Sequence, residues 1–350
     1  MKKILALVLA LIMAMSLCVA CSTGAAQKSA APTTAAAPTA AATTAAAATT
    51  AAAATKAASG EKFLIGFSTD TTTSAWRSKM VTEMQKAVEA HSDELELVVT
   101  VAEDDTNKQI SDIEDLVAQG IDLLIVSPHV ADPLTPIVKE VYDSGIPVIV
   151  VDRAVSGENF TTFIGASNEA IGAQAGDIIG ELMGGKGNII ELQGTAGSSP
   201  TIGRSEPMHK VLEEKYSDIK FIAEQDCDYN ETKAMETMEN LLQANPEGTI
   251  DLIYAHADNM ALGAMKALKA AGRDKEGIKI VSIDGQKQTF EAIKAGQFTG
   301  TFTYPWPSEK AIEVALQILH GEKVEKNYEL QSDYVNADNV DDFYDPESEF

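Results

Sequence analysis

The residues best placed to do chemistry are those that follow short, buried-looking apolar runs. Ser68 follows Phe63–Phe67, Asp152-Arg153 follow Pro147–Val151, and Gln193-Gly194 follow Asn188–Leu192. His256 and Asp284 end the corresponding runs Leu252–Ala255 and Ile278–Ile283. The set is polar and charged at three points, so it can exchange hydrogen bonds with a polar ligand. It contains no nucleophile–base pairing. Gly197-Ser198-Ser199-Pro200 is the nearest approach to a G-x-S-x-G elbow and lacks its second glycine. No phosphate-cradling G-x-x-x-x-G-K-[ST] is present. Gly184-Gly185-Lys186-Gly187 follows a helix and precedes a strand, the reverse of a dinucleotide loop, and reads as a helix C-cap turn. The five histidines lack ligand spacing. Asp104-Asp105-Thr106-Asn107 lacks the central Gly and terminal Glu of a calcium loop and reads as a helix cap. Neither enzymatic activity, nor a metal, nor a cofactor is expected.

Those residues need elements to hold them, and the chain supplies a regular series. Strands at Phe63–Phe67, Leu95–Ala102, Leu123–Val126 and Pro147–Val151 alternate with helices at Trp76–Ala90, Lys108–Gln119 and Leu134–Ser144. The series resumes at Phe160–Ile164 and a helix to Met183. Strands Asn188–Leu192, Phe221–Ala223, Leu252–Ala255 and Ile278–Ile283 then alternate with helices Arg204–Lys215, Glu231–Ala244, Asn259–Ala271 and Lys287–Ala295. Such alternation predicts α/β architecture, a parallel sheet with helices on both faces. The series is written twice. Gly120-Ile121-Asp122-Leu123-Leu124-Ile125 recurs as Thr249-Ile250-Asp251-Leu252-Ile253-Tyr254. Pro147-Val148-Ile149-Val150-Val151-Asp152 recurs, at nearly the same offset, as Lys279-Ile280-Val281-Ser282-Ile283-Asp284. Two similar doubly wound (Rossmann-like) domains are therefore expected, with a cleft at the carboxyl ends of their strands.

The 350 residues accommodate two domains of about 145 residues after a non-globular start. The formal net charge is −25, and the four lysines before residue 61 (Lys2, Lys3, Lys28, Lys56) are matched by no acid there, so the globular part is more acidic still. Such a surface repels phosphate backbones and argues against nucleic-acid binding. Lys2-Lys3 and the apolar run Ile4–Val19 have the form of a secretory signal, residues 1–20. Small residues before Cys21 resemble a lipobox, although Cys18 stands where that motif usually has Leu; cleavage near Ala20 without lipidation is the alternative. Residues 21–60 are then a lipidated cysteine and an Ala/Thr/Pro-rich tether. Lipidation of Cys21 would hold the domain outside the cell, at the outer face of the plasma membrane. Cys227 is alone and reads as a small buried hydrophobe.

Several separate stretches resemble one family. They are Gly66-Phe67-Ser68 followed by Trp76-Arg77, Gly145-Ile146-Pro147-Val148 running into Asp152-Arg153, and Glu191 to Ser198 (ELQGTAGS). To these belong Tyr254 to Ala264 (YAHADNMALGA) and Ile283-Asp284-Gly285. Together, from Phe63 to about Val340, they resemble the solute-binding proteins of bacterial sugar ABC importers. The group is the ribose-type (type I) one, and above all its galactofuranose-binding branch. Repressors share the fold but need a helix-turn-helix head where this chain has its leader and tether.

The resemblance implies a monosaccharide site at Ser68, Trp76, Arg77, Asp152, Arg153, Arg204, Tyr229, His256, Asp284 and Tyr304. Trp76 and Arg77 stand where ribose binders have two stacking aromatics, which cover the apolar face of a sugar. Asp152-Arg153 match an acceptor–donor pair for ring hydroxyls, with Arg204 and Asp284 as the same pair from the other domain. Ala257 stands where the family usually has Asn, and Arg77 removes one stacking surface, so the expected ligand is a furanose other than ribose. The resemblance further implies hinged closure about three crossing strands, residues 61–165 with about 305–330 in one lobe and 166–304 with about 331–350 in the other. It implies a monomer that delivers its sugar to an ABC permease and its ATPase and touches the membrane only through its anchor. A receptor presenting a sugar or autoinducer to a membrane kinase is the alternative.

Overall fold

The computed structural model describes residues 60–350; the expected signal sequence, the expected lipidation at Cys21 and nearly all of the expected tether lie outside the described residues. Strands β1 (Phe63–Thr69), β2 (Leu95–Val101), β3 (Leu123–Ser127), β4 (Val148–Val151) and β5 (Thr162–Ala166) alternate with helices α1 (Ala75–Glu89), α2 (Thr106–Ala118) and α3 (Ala131–Asp143). The second series is α4 (Asn168–Leu182), β6 (Lys186–Gln193), α5 (Ser199–Lys215), β7 (Asp218–Asp226), α6 (Glu231–Ala244), β8 (Leu252–Ala255), α7 (Asp258–Ala270), β9 (Lys279–Asp284), α8 (Lys287–Lys294) and β10 (Gly300–Thr303). Helix α9 (Ser308–Leu319) and strands β11 (Asn327–Leu330) and β12 (Tyr334–Asn336) complete the chain.

The strands form two sheets of six, ordered β11-β5-β4-β3-β1-β2 and β12-β10-β9-β8-β6-β7. Position by position these are the same order. All pairings are parallel except β10 with β12. The expected doubly wound α/β fold, twice over, is present. The chain passes from the first sheet to the second after β5, returns after β10, and crosses again after β11.

The central strands β3, β4 and β8 are nearly continuous apolar runs because helices cover both faces. One core cluster takes Met80 and Met84 of α1 against the first sheet and Ile171 and Ile179 of α4 against the second. Separate clusters fill the outer faces, including Cys227 in the second, as read from the sequence. Helix α5 begins at Ser199, earlier than the expected Arg204, because Pro200 falls in its first turn, where no backbone donor is lost. Helices α4 and α5 cross closely: a Cβ on Gly172 would lie 2.4 Å from the Gly203 carbonyl oxygen. That approach brings the neighbouring Arg204 to Asn168. Asp105 caps α2 by accepting from the Asn107 and Lys108 amides, and Gly184 (φ 61°) and Gly185 (φ 80°) turn the chain after α4.

Candidate functional site

A cavity lies at the carboxyl ends of both sheets. Its walls come from the segments after β1 (Thr71, Thr73, Ser74, Trp76, Arg77), β2 (Asp104) and β4 (Asp152, Arg153), and after β6 (Thr195, Pro200, Arg204) and β7 (Asp228, Tyr229). The segments after β8 (Ala257, Asn259), at the end of β9 (Asp284) and after β10 (Tyr304) complete it. Doubly wound sheets bind ligands at this end, where strand order reverses. The backbone marks the same place. Among the described residues six non-glycines have left-handed φ: Glu103 (56°), Asp104 (63°), Asp152 (60°), Asp228 (51°), Tyr229 (54°) and Asp284 (138°). All but Glu103 line the cavity. Such conformations cost of order 1–3 kcal/mol each and collect at functional sites.

The first wall is a lattice of alternating charge. Arg77 donates through Nη2 to Asp152 Oδ2 (2.6 Å) and through Nη1 to Ser127 (2.6 Å), with Asp70 Oδ1 3.4 Å away. Burial works against the Arg77 charge, but Asp152 and Asp70 outweigh it and hold the group above its ordinary value. Arg153 Nη1 lies 2.7 Å from Asp70 Oδ2 and donates to the His129 carbonyl (2.7 Å). Trp76 is 5 % exposed; its indole N–H donates to the Tyr304 carbonyl (2.8 Å) and its ring sits 5.3 Å from the Tyr304 ring.

The second wall centres on Arg204. Its Nε donates to Asn168 Oδ1 (2.8 Å), its Nη1 to the His256 carbonyl, and the guanidinium lies 4.5 Å from the Tyr304 ring centroid. Arg204 thus directs its donors to Asn168 and His256, and Asp284, expected beside it as the paired acceptor for ring hydroxyls, reaches it through its field. Asp284 stands beside buried Asp258, which accepts from Ser282 Oγ (2.5 Å), Thr301 Oγ1 (2.7 Å) and the Gln286 amide (2.7 Å). Burial pushes the Asp258 carboxyl up to about 6. Burial, then the Asp258 charge, holds Asp284 well above the usual range as well.

The walls meet. Tyr304 Oη donates to Asp152 Oδ1 (2.9 Å) and accepts from Asn168 Nδ2 (3.1 Å). The Ala154 amide donates to Ser199 Oγ (2.7 Å), and Arg153 lies 5.4 Å from the Tyr229 ring centroid.

Eight of the ten residues expected from sequence line this cavity: Trp76, Arg77, Asp152, Arg153, Arg204, Tyr229, Asp284 and Tyr304. Ser68 and His256 do not. Strand β1 continues to Thr69 in register with both neighbours, so Ser68 is fully buried inside the sheet and accepts from Gln109 Nε2 (3.4 Å). His256 is buried behind the second wall, where its Nε2 meets Glu191 Oε1 at 2.8 Å. The Gly194 amide donates to its Nδ1 (3.4 Å), leaving Nε2 to carry the proton given to Glu191. Sequence reasoning missed Asp70 and Asn168, which hold the arginines, and Asn259, which lines the wall.

Among the described residues two groups bring carboxylate and imidazole atoms within 4.8 Å of one another: Asp70, Asp104 and His129, and Glu191, His209 and Glu224. In each the buried carboxylate already has partners, Arg153 for Asp70 and two histidines for Glu191, so little charge remains to hold a cation.

A charge-balanced, buried hydrogen-bonding lattice closed between two matching sheets is a ligand trap, and the comparisons agree. The profile of the family described as "Periplasmic binding protein domain" matches residues 65–323. The chain belongs to this family. It is of the ribose type, and its members are binding proteins rather than enzymes. The ribose import binding protein of Bacillus subtilis is 31 % identical over 268 residues, covering 76 % of this chain and 85 % of that one. The galactofuranose-binding protein of Escherichia coli is 33 % identical over 239 residues, 67 % and 74 % of the two chains. A solved fructose-binding periplasmic domain of a hybrid two-component system is 34 % identical with a TM-score of 0.75, covering 80 % of this chain and 92 % of that one.

Proposed function

We propose that this periplasmic binding protein captures a neutral monosaccharide in furanose form, such as galactofuranose, by hinged closure and delivers it to an ABC importer. The observation that carries the reading is the alternation of buried carboxylates and guanidiniums around one cavity. Each sugar hydroxyl donates one hydrogen bond and accepts others, and a carboxylate beside a guanidinium serves both directions. Arg77 and Arg153 are each already paired with aspartates, so the wall offers hydrogen bonds rather than net charge, which suits a neutral polyol. Trp76, Tyr229 and Tyr304 supply apolar faces for ring C–H groups. The relatives named for ribose and galactofuranose support a sugar.

In this reading residues 61–165 with about 305–330, and 166–304 with about 331–350, are the closing lobes of a monomer. Cys21 is the lipid anchor that holds the chain at the outer face of the membrane, beside the permease and its ATPase. The likeness to a two-component receptor domain favours a second reading, a sensor that presents its sugar to a membrane kinase. Thermal unfolding with D-galactose, L-arabinose, D-fructose, D-ribose and myo-inositol tests the sugar reading, because a ligand bound only by the native state raises its midpoint. A rise with one of the first three and none with the others is expected; no rise with any sugar overturns the reading. A permease–ATPase pair pulled down with the loaded chain supports delivery, and a histidine kinase in its place supports the second reading.

A further inference from the structure

The wall built by α7 carries an amide whose orientation its neighbour dictates. Asn259 is 9 % exposed, lines the cavity, and lies 2.5 Å through its Nδ2 from the Tyr229 carbonyl oxygen. A main-chain carbonyl only accepts, so the atom facing it is the NH2 group, and the other end of the amide is Oδ1. Oδ1 is buried and has no hydrogen-bond partner in the protein. Ala257 beside it also lines the cavity and offers no side-chain polar atom. On the facing wall Arg153 Nε is likewise buried without a partner. Among the described residues that line the cavity, these are the one buried unmatched acceptor and the one buried unmatched donor, the complement of a hydroxyl-bearing ligand.

We propose that Asn259 is a specificity-determining ligand contact, whose Oδ1 accepts from one sugar hydroxyl and rejects an analogue that lacks it. The inference rests on the sugar reading and adds to it the acceptor that discriminates. A buried polar atom left unmatched is what makes such a site selective. The Tyr229 carbonyl is the lock: with Nδ2 tied there, the amide cannot flip to offer a donor instead.

The experiment is a cycle of one residue against one hydroxyl, read by titration calorimetry on the full chain. The ligand is whichever panel sugar raises the wild-type midpoint, with its monodeoxy analogues. Wild type should bind one of these analogues at least about tenfold more weakly than the parent sugar. Asn259→Ala should bind the parent sugar about tenfold more weakly, and that same analogue no worse than the parent. If every analogue loses the same factor in variant and wild type, the proposal falls while the sugar reading stands. If the wild type binds no panel sugar, both fall. Should Asn259→Ala fail to fold, Asn259→Ser carries the same cycle, its shorter side chain falling short of both partners.

Discussion

Asp70→Asn tests whether the buried charge lattice is what holds the first wall in place. Asp70 is fully buried and lies between two guanidiniums, Arg153 at 2.7 Å and Arg77 at 3.4 Å. The two depend on it unequally. Arg77 keeps Asp152 at 2.6 Å and Ser127 when Asp70 is neutralised, whereas Arg153 is left with the His129 carbonyl. Arg153 is 3 % exposed, so its charge stays where water cannot solvate it. Breaking a buried ion pair from one side costs about 3–5 kcal/mol. The asparagine carbonyl can still accept from Arg153, which places the expected loss at the lower end, about 3 kcal/mol. At about 2–4 °C per kcal/mol for chains of this size, the midpoint should fall by roughly 6–12 °C.

The penalty is for an orphaned charge, so removing that charge should restore part of the loss. Asp70→Asn/Arg153→Gln is therefore expected to melt above Asp70→Asn alone, by at least half of the original drop. Circular dichroism melts without sugar, on parent, both single variants and the double, decide it. A double variant that loses the sum of the two single losses refutes the lattice argument, because it would mean the two side chains stabilise the wall independently.

Trp76→Ala should weaken sugar binding by about 1–3 kcal/mol beyond any stability change, and an unaltered calorimetric affinity would return Trp76 to a pure packing role. In Gly194→Ala the new Cβ would stand 2.0 Å from Tyr229 Cζ. The ring must leave the wall and with it the Arg153 stacking, so affinity should fall about tenfold while the fold is kept; equal affinity by calorimetry contradicts this. Glu191 carries the pH dependence. Burial alone would raise its carboxyl, but the His209 and His256 hydrogen bonds pull it well below the usual range, so its stabilisation is present above about pH 4.3 and is lost as pH falls further. For His209 burial is outweighed by the Glu191 hydrogen bond, its value is raised, and its stabilisation is full below about 6.5 and lost as pH rises through the raised value. The midpoint difference between parent and Glu191→Gln should therefore be largest near pH 5–6 and shrink on both sides; a difference that grows steadily toward pH 9 refutes the pairing.

Much of the fold was legible because parallel strands buried on both faces are nearly continuous apolar runs, as Leu123–Val126 and Val148–Val151 are. Strands β11 and β12 were not. Each sits at the edge of its sheet, and Asn-Tyr-Glu-Leu at 327–330 alternates exposed and half-buried residues that no apolar run betrays. The site divided in the same way. Asp152 and Arg153 stand just past an abrupt end of an apolar run, so their place could be read. The end of β1 is not abrupt: Ser68, Thr69 and Asp70 are all polar, and only pairing with β2 and β3 carries the strand to Thr69 and makes Asp70 the residue at its tip. Asn168 and Asn259 belong to helix starts, where Asn is common for capping reasons alone. Nothing short of the tertiary structure separates an amide that faces a guanidinium from one that faces water.

The aspartates that the two halves repeat carry a further meaning that residue type alone conceals. Asp152 and Asp284 occupy equivalent strand ends in sheets of identical order, and both have positive φ, 60° and 138°. Asp104 and Asp228 repeat the pattern after β2 and β7, at 63° and 51°. Aspartate is among the few non-glycine residues that enter the left-handed region at modest cost, because its short side chain can bond its own backbone. A glycine would relieve the strain but bring no carboxylate, and a larger acid would bring the carboxylate on a longer, looser stem. The sequence echo is thus the trace of two demands met by one residue type: a chain that must turn sharply at the sheet's carboxyl edge, and a wall that must present an acceptor at that same turn. Because both halves solve both demands alike, the two sheets close on one cavity with acceptors on either side.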